Sequence, residues 1–368
     1  MSCDRVRWVS AVGDNAVQGG GVARGVSLFK ASGIINSCDS DFLDLSSIGR
    51  NKQFVFAIRD VIFYRYRCFI VHSFFSPYVV MLMLLPVRIN LVLLPHGELK
   101  EGALKISERK KKVIIKIISK CSFLNSKLKR ISVLASNEEE LFFAKKVLGE
   151  IVGYRVDDII GPNMMLADNS AYVPGEGVNI INVARMVPNK GVGDFLDALF
   201  EQLQKKNGRS WFDNVKSIHL FFVPECHKEL ERVKQLANLL QQVSGPKVYL
   251  YESLDHSQIS KILKTLPNRL PFITSQFESF SYALVELSGL EFKPIVWFKN
   301  ELVDEMCSAD ICVHLEYGSL ETFDGKTPVL RADPSASKEY FYAMKKNVEL
   351  EYRAILKKEL GNDFRKFM

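Results

Sequence analysis

Short apolar runs alternate along the chain with longer stretches of helical spacing. Residues 6–12 read as a strand, followed by the glycine loop Gly19-Gly20-Gly21 and a helix from about Val22. Apolar runs at 68–74 and 89–95 flank a helix that starts near Pro77. Residues 131–134 form another strand, and Ser136-Asn-Glu-Glu139 reads as a capping box opening a helix to about Leu148. The pattern pauses at Val173-Pro-Gly-Glu-Gly177, a linker, and resumes at 179–184. From Gly191 a helix places Val192, Phe195, Leu196, Leu199 and Leu203 on one face, with further strands at 218–223, 247–251, 270–274 and 294–298. The last stretch, 338–368, is helical and highly charged. Such alternation predicts an α/β fold with mainly parallel sheets covered on both faces. The divisions expected are an N-terminal Rossmann-like domain at 1–173, a second at 178–345 and a C-terminal helical segment at 346–368. In such domains ligands lie at the carboxyl ends of the strands.

Composition narrows the class. With 368 residues, 47% hydrophobic and 25% charged, the chain has room for two domains that each bury a core. The first fifteen residues lack an apolar leader segment. The most apolar run, 78–87, contains Pro86 and is half the roughly twenty residues a membrane span needs. It reads as a buried helix. Seven cysteines without a C-x-x-C spacing read as reduced thiols of a cytosolic protein, neither a disulfide frame nor a zinc site.

Charge is unevenly placed. Residues 100–130 hold eleven Lys or Arg and two Glu, a net of +9 within a total of +7, so the remainder sums to −2. Lys105, Arg109, Lys112, Lys116 and Lys120 line one side of a predicted helix; Val113, Ile114, Ile117, Ile118 and Cys121 line the other. A basic amphipathic helix suits an anionic membrane surface, and a core-packed helix with a solvated basic face reads equally well. Nucleic acid ranks last, because Phe123 is the segment's one aromatic for base stacking.

Candidate chemistry sits at strand ends. Gly20 and Gly21 precede a helix, where small residues admit a phosphate or a sugar to backbone N–H groups, or simply make a tight turn. The loop has neither the lysine of a P-loop nor the third glycine of a dinucleotide fingerprint. Arg185 and Lys190 follow a strand and can converge on a diphosphate, or stand as two solvated cations. Glu278 falls in a strand-end loop and Glu286 in the following helix. Their spacing of eight can set both on one face toward a polyhydroxylated ligand, although ordinary helices show it too. His96, in Leu-Pro-His-Gly, can bond a ligand or serve structure alone. No histidine pattern suggests a metal site, and no G-x-S-x-G elbow is present.

Taken together and in order, these segments resemble the family 4 retaining glycosyltransferases of the GT-B fold, particularly bacterial surface-polysaccharide enzymes. The resemblance runs to about Asn300. It rests on Phe69-Ile-Val-His-Ser-Phe-Phe-Ser-Pro77, Leu94-Pro-His-Gly-Glu-Leu-Lys-Glu-Gly-Ala-Leu104, Ala135-Ser-Asn-Glu-Glu-Glu140, Ile160-Gly-Pro-Asn163, Ala184-Arg-x4-Lys-Gly191 and the Glu278-x7-Glu286 segment. It implies two Rossmann-like domains facing across a cleft, with the C-terminal helix crossing back to the N-terminal domain. It further implies a metal-independent retaining transfer from a UDP- or GDP-sugar to a glycan acceptor. A lipid-linked acceptor in lipopolysaccharide, O-antigen or capsule synthesis would place the protein in the cytoplasm, at the inner face of the plasma membrane. Arg185 and Lys190 would hold the donor diphosphate, Glu286 the ribose, and Glu278 the donor sugar or its phosphate. His96 would contact the transferred sugar, and Gly20 and Gly21 would admit donor or acceptor. The chain departs from the pattern at Ala184 and Ser279, where the family has glycine, and at Phe292-Lys293. Lys299-Asn-Glu-Leu302 replaces an expected glycine pair. The alternative is a weak or inactive GT-B-shaped subunit that binds or assembles glycans.

Overall fold

The computed structural model describes residues 6–11, 16–34, 40–99, 104, 108–124, 128–160, 173, 176–204, 214–278, 280–318, 320 and 332–360. It comprises two compact units, one of Met1–Gly161 with Ala343–Met368 and one of Pro162–Tyr342.

The first unit runs β1 (Val6–Ser10), α1 (Ala16–Ala31), β2 (Ser40–Asp44), α2 (Arg50–Ile62), β3 (Cys68–His72), α3 (Pro77–Leu84), β4 (Ile89–Leu94), α4 (Glu108–Leu124), β5 (Lys129–Ala135), α5 (Glu138–Leu148) and β6 (Val152–Arg155). Its strands pair in parallel in the order β2-β1-β3-β4-β5-β6, so the order reverses once, between β1 and β3. The period of two sorts the side chains. Phe69, Val71, Leu91 and Leu93 join the core under α2, α3, α4 and α5. Ile70, Val92 and Leu94 join a second core with Val26 and Phe29 of α1 and the C-terminal helix (Pro334–Leu360). Burial of both faces accounts for strands that read as continuous apolar runs.

Local signals set several boundaries. Ser76 caps α3, its Oγ accepting from Val79 N at 3.2 Å, and Pro77 occupies the first turn. The cap of α5 is Asn137 and not Ser136: its Oδ1 accepts from Glu140 N at 2.9 Å. Gly19, Gly20 and Gly21 lie within α1, not in a loop before it. A glycine inside a helix costs about 1 kcal/mol relative to alanine, and the buried Val26 and Phe29 anchor the helix against that cost. Cys68 is disulfide-bonded, against the expectation of seven reduced thiols.

The second unit runs β7 (Val178–Met186), α6 (Val192–Gln204), β8 (Val215–Pro224), α7 (His227–Gln242), β9 (Lys247–Glu252), α8 (His256–Leu263), β10 (Arg269–Ile273), α9 (Tyr282–Leu287), β11 (Ile295–Val296), α10 (Glu301–Ser308) and β12 (Val313–His314), with α11 being the C-terminal helix. Its parallel sheet has the order β12-β11-β10-β7-β8-β9, reversing between β7 and β10. Val192, Phe195, Leu196 and Leu199 of α6 are buried as their spacing predicts, against Ile180, Ile218, Leu220 and Phe272. Asn182 ties β7 to β10, donating from Nδ2 to Phe272 O at 2.7 Å and to Thr274 Oγ1 at 3.2 Å. Arg269, with its side chain 1% exposed, is neutralised by Glu291 and donates to Leu263 O at 3.1 Å.

From Ala343 onward, α11 belongs to the first unit, as the predicted crossing requires. Tyr352, Ile355 and Leu356 enter its core. Glu359 accepts from Ser132 Oγ at 2.6 Å and Tyr154 OH at 2.5 Å, and pairs with Arg130 at 3.2 Å.

Candidate functional site

In the second unit the strand order reverses between β7 and β10, and at that point two loops are stitched together. After β7 the chain makes a 3-10 turn, Pro188–Lys190, and Gly191 takes a φ of 65° before α6 begins. A Cβ on Gly191 would run into Thr274 O, so the position needs glycine both for its dihedral and for the close approach. Thr274 Oγ1 donates to Lys190 O at 2.7 Å, and Gln276 N donates to Asn189 O at 3.0 Å. The β10 loop is thereby fixed beside the β7 loop.

This stitching places Lys190 Nζ on the carboxylate of Glu278, with the two side chains 13% and 15% exposed. Ser275 Oγ donates to the same Glu278 oxygen at 2.8 Å. Asn300 donates from Nδ2 to Glu278 O at 3.2 Å, while its Oδ1 caps α10 by accepting from Val303 N at 2.9 Å. Two of the sequence-predicted site residues, 88 positions apart, thus meet. Arg185 does not join them: it is paired with Glu225, after β8, at 3.0 Å. Glu286 is buried in α9, a helix capped by Ser281. Next to this pair, Gln276 Nε2 donates to Tyr317 OH at 2.9 Å and to Asp194 Oδ2 at 3.2 Å, and Arg232 pairs with Asp194 at 2.9 Å.

A second titratable cluster sits at the strand ends of the first unit. His72 closes β3 and stacks on His96 with ring centroids 5.1 Å apart. His72 Nδ1 and His96 Nε2 are 2.8 Å apart, and His96 Nδ1 lies 3.0 Å from Asp158 Oδ1. Both ring nitrogens of His96 are therefore engaged inside the protein. Burial alone would lower the His96 pKa, but Asp158 beside it raises it above the usual value, with Glu140 and Glu98 adding to the pull. His72 is pushed well down by burial and by the charge on His96. Glu98 accepts from Phe74 N and from Ser73 Oγ at 2.9 Å; burial still raises its pKa. Glu140 is fully buried, accepts from Leu99 N at 3.3 Å and is raised to about 7, chiefly by desolvation.

His96 and Ser73 both adopt positive φ, 49° and 110°. For side chains of this kind such values are strained, and strain of this sort concentrates at functional loops. His72, Glu98, Glu140 and Asp158 escape the sequence reading because no spacing links them; Asn300 escapes because its loop stands out only for lacking glycine. Gly20 and Gly21 are placed as part of α1, and Lys105 lies outside the described residues. Arg109, Lys112, Lys116 and Lys120 are exposed on α4. Among the described residues, no group of three or more His, Cys, Asp or Glu is placed to hold a metal ion.

No protein-family model matches the chain, and no curated protein sequence does. Solved structures match over nearly its full length. A sucrose-phosphate synthase from Thermosynechococcus elongatus superposes with a TM-score of 0.66 at 13% identity, covering 96% of this chain and 98% of that one. An alpha,alpha-trehalose-phosphate synthase (UDP-forming) from Burkholderia xenovorans, in complex with glucose-6-phosphate, gives 0.61 at 11% identity, covering 97% and 99%. A trehalose-6-phosphate structure from E. coli bound with UDP-2-fluoro glucose gives 0.59 at 10%, covering 96% and 98%. At these identities the likeness is one of fold, and the chain has the two Rossmann-like domains of the GT-B glycosyltransferase fold.

Proposed function

We propose that the chain is a retaining glycosyltransferase that takes a sugar from a UDP- or GDP-sugar and places it on a glycan acceptor. The observation that carries this reading is the Lys190–Glu278 pair at the strand-order reversal of the second unit. Loops at such a point bind nucleotides and phosphates in doubly wound sheets. Lys190, turning from Glu278 to the donor diphosphate, would offset the charge that grows on the leaving group as the glycosidic bond breaks. Arg185 would add a bidentate donor once released from Glu225. Glu278 would then accept from sugar hydroxyls, and Glu286 would serve the ribose. Positive charge from side chains in place of a metal ion suits a metal-independent transfer.

The finer reading follows α4. Its exposed basic residues favour an anionic membrane, and hence a lipid-linked acceptor in cell-surface polysaccharide synthesis at the cytoplasmic face. Among the described residues no helix is long and apolar enough to cross a membrane. The second reading, a GT-B subunit that binds glycans without turnover, is favoured by the Arg185–Glu225 pairing and by α10, which starts where a glycine pair is expected.

One experiment separates them. Incubate the protein with a panel of nucleotide sugars and follow the anomeric proton of the released or transferred sugar by NMR. Retention of the donor's anomeric configuration supports the proposal. Inversion contradicts the retaining assignment, and binding without release of nucleotide supports the second reading.

A further inference from the structure

Cys307 and Cys312 lie in the second unit, their sulfurs 3.3 Å apart. The contact is built by the way α10 ends. Ile311 N bonds back to Met306 O at 2.8 Å and Asp310 N to Cys307 O at 3.0 Å, the paired bonds of a Schellman turn. Asp310 takes the left-handed position, φ 60°, and is held there by Lys293 at 2.5 Å. The turn folds the chain back so that Cys312, entering β12, comes to rest against the thiol of Cys307.

The two thiols differ in a way that divides their roles. Cys307 is half-buried, and its thiol is held below its ordinary pKa by the hydrogen bond from Cys312 and by a backbone bond from His314. Cys312 is buried, and the same bond together with desolvation pushes its thiol up. A half-buried thiol lying 3.3 Å from a buried partner thiol is the arrangement of a reactive cysteine and its resolving cysteine.

We propose that Cys307 and Cys312 form a thiol–disulfide site that closes to an intrachain disulfide on meeting a low-molecular-mass disulfide such as oxidised glutathione. In the first step the Cys307 thiolate attacks one sulfur of the reagent, and one glutathione thiolate leaves. In the second, Cys312 loses its proton and attacks Cys307 Sγ, and the second glutathione leaves. The two protein thiols lose two electrons, and the reagent gains them as two thiols, which take up the two protons. The sulfurs must close from 3.3 Å to about 2.05 Å, a shift within reach of the last turn of α10. The opposite end of that helix is Asn300, which braces Glu278. Oxidation therefore acts on an element that supports the candidate site.

The test is a titration with glutathione redox buffers, followed by acid quenching and mass analysis of the tryptic peptide 300–326, which holds both cysteines. The wild-type peptide is expected to become two hydrogen atoms lighter, to retain no glutathione, and to return to the dithiol with dithiothreitol. Cys312→Ser is expected to accumulate glutathione on Cys307, and Cys307→Ser to leave Cys312 unmodified. Cys226, also free and half-buried, serves as the internal reference. A stable glutathione adduct on wild-type Cys307, or modification of Cys226 while both thiols of the peptide stay free, would overturn the proposal. Neither result depends on nucleotide binding, so failure here is distinct from failure of the transferase reading.

Discussion

Lys190 and Glu278 sit against each other in a pocket of side-chain and backbone bonds, which makes their substitutions informative one at a time. If Lys190 offsets diphosphate charge in the transition state, Lys190→Ala should lower turnover by about 10²–10³. Glu278→Ala should act mainly on turnover and Glu286→Ala mainly on affinity for free UDP or GDP, as read by binding and rate measurements on each variant. Gly191→Ala, by contrast, should unseat the β7 loop, with a stability loss of roughly 1–3 kcal/mol in denaturant unfolding.

Glu140 gives a prediction for pH. Its folded-state pKa is raised from 4.5 to about 7, so the folded protein holds this proton more tightly than the unfolded chain. The resulting stability is fully present below about pH 4.5 and is lost as pH rises through about 7. His96, also raised, acts in the same direction, while His72, lowered, acts oppositely on the acid side. Glu140→Gln removes this titration together with the Glu140 share of the pull on His96, and keeps Asp158 beside His96. The variant should match wild type near pH 5 and exceed it in melting temperature at pH 8. The motif residues Lys190 and Glu278 were legible because both fall in strand-end loops of a recognisable order. Of the His72–His96–Asp158 cluster only His96 was, since the pairing of β3 with β4 and the chain after β6 bring its members together.

At the scale of elements, α4 shows what a helical pattern can and cannot say. The spacing foretold a basic side and an apolar side. It did not foretell which apolar residues meet the core. Ile118 is buried and Ile114 and Ile115 pack against the first unit's core, yet Val113 and Ile117 stay exposed, 59% and 39%, beside Lys112 and Lys116. Basic side chains flanking an exposed apolar pair are suited to a membrane surface, each Lys or Arg contributing about 1 kcal/mol near anionic lipid. Reversing Arg109, Lys112 and Lys116 to Glu should release the protein from anionic liposomes in a flotation assay while sparing transfer to a small soluble acceptor. Wild-type binding should fall steeply with salt; wild type that fails to bind at low salt contradicts the membrane reading. The glycine triplet is the converse case. Local propensity argued for a loop, but α1 is fixed by burial of Val26 and Phe29 under the sheet, which a window of sequence does not report.

For the molecule as a whole, two mainly parallel sheets were legible in the alternation of strands and helices, and the strand order of each was not. The short strands β2, β6 and β12 were not, because Ser40–Asp44 and Val152–Arg155 are edge-proximal and carry polar or half-exposed residues. Nor could sequence alone show that Glu359 would anchor α11 to β5 and β6. The central claim is that the second unit binds the nucleotide end of a sugar donor at the β7–β10 reversal. Calorimetric titration of the protein with UDP and GDP tests it most directly, with Lys190→Ala and Arg109→Glu variants alongside. The account predicts saturable one-to-one binding of one of the two nucleotides, weakened at least tenfold by Lys190→Ala and unchanged by Arg109→Glu. Wild-type binding that Lys190→Ala leaves untouched, or no binding of either nucleotide, would contradict it.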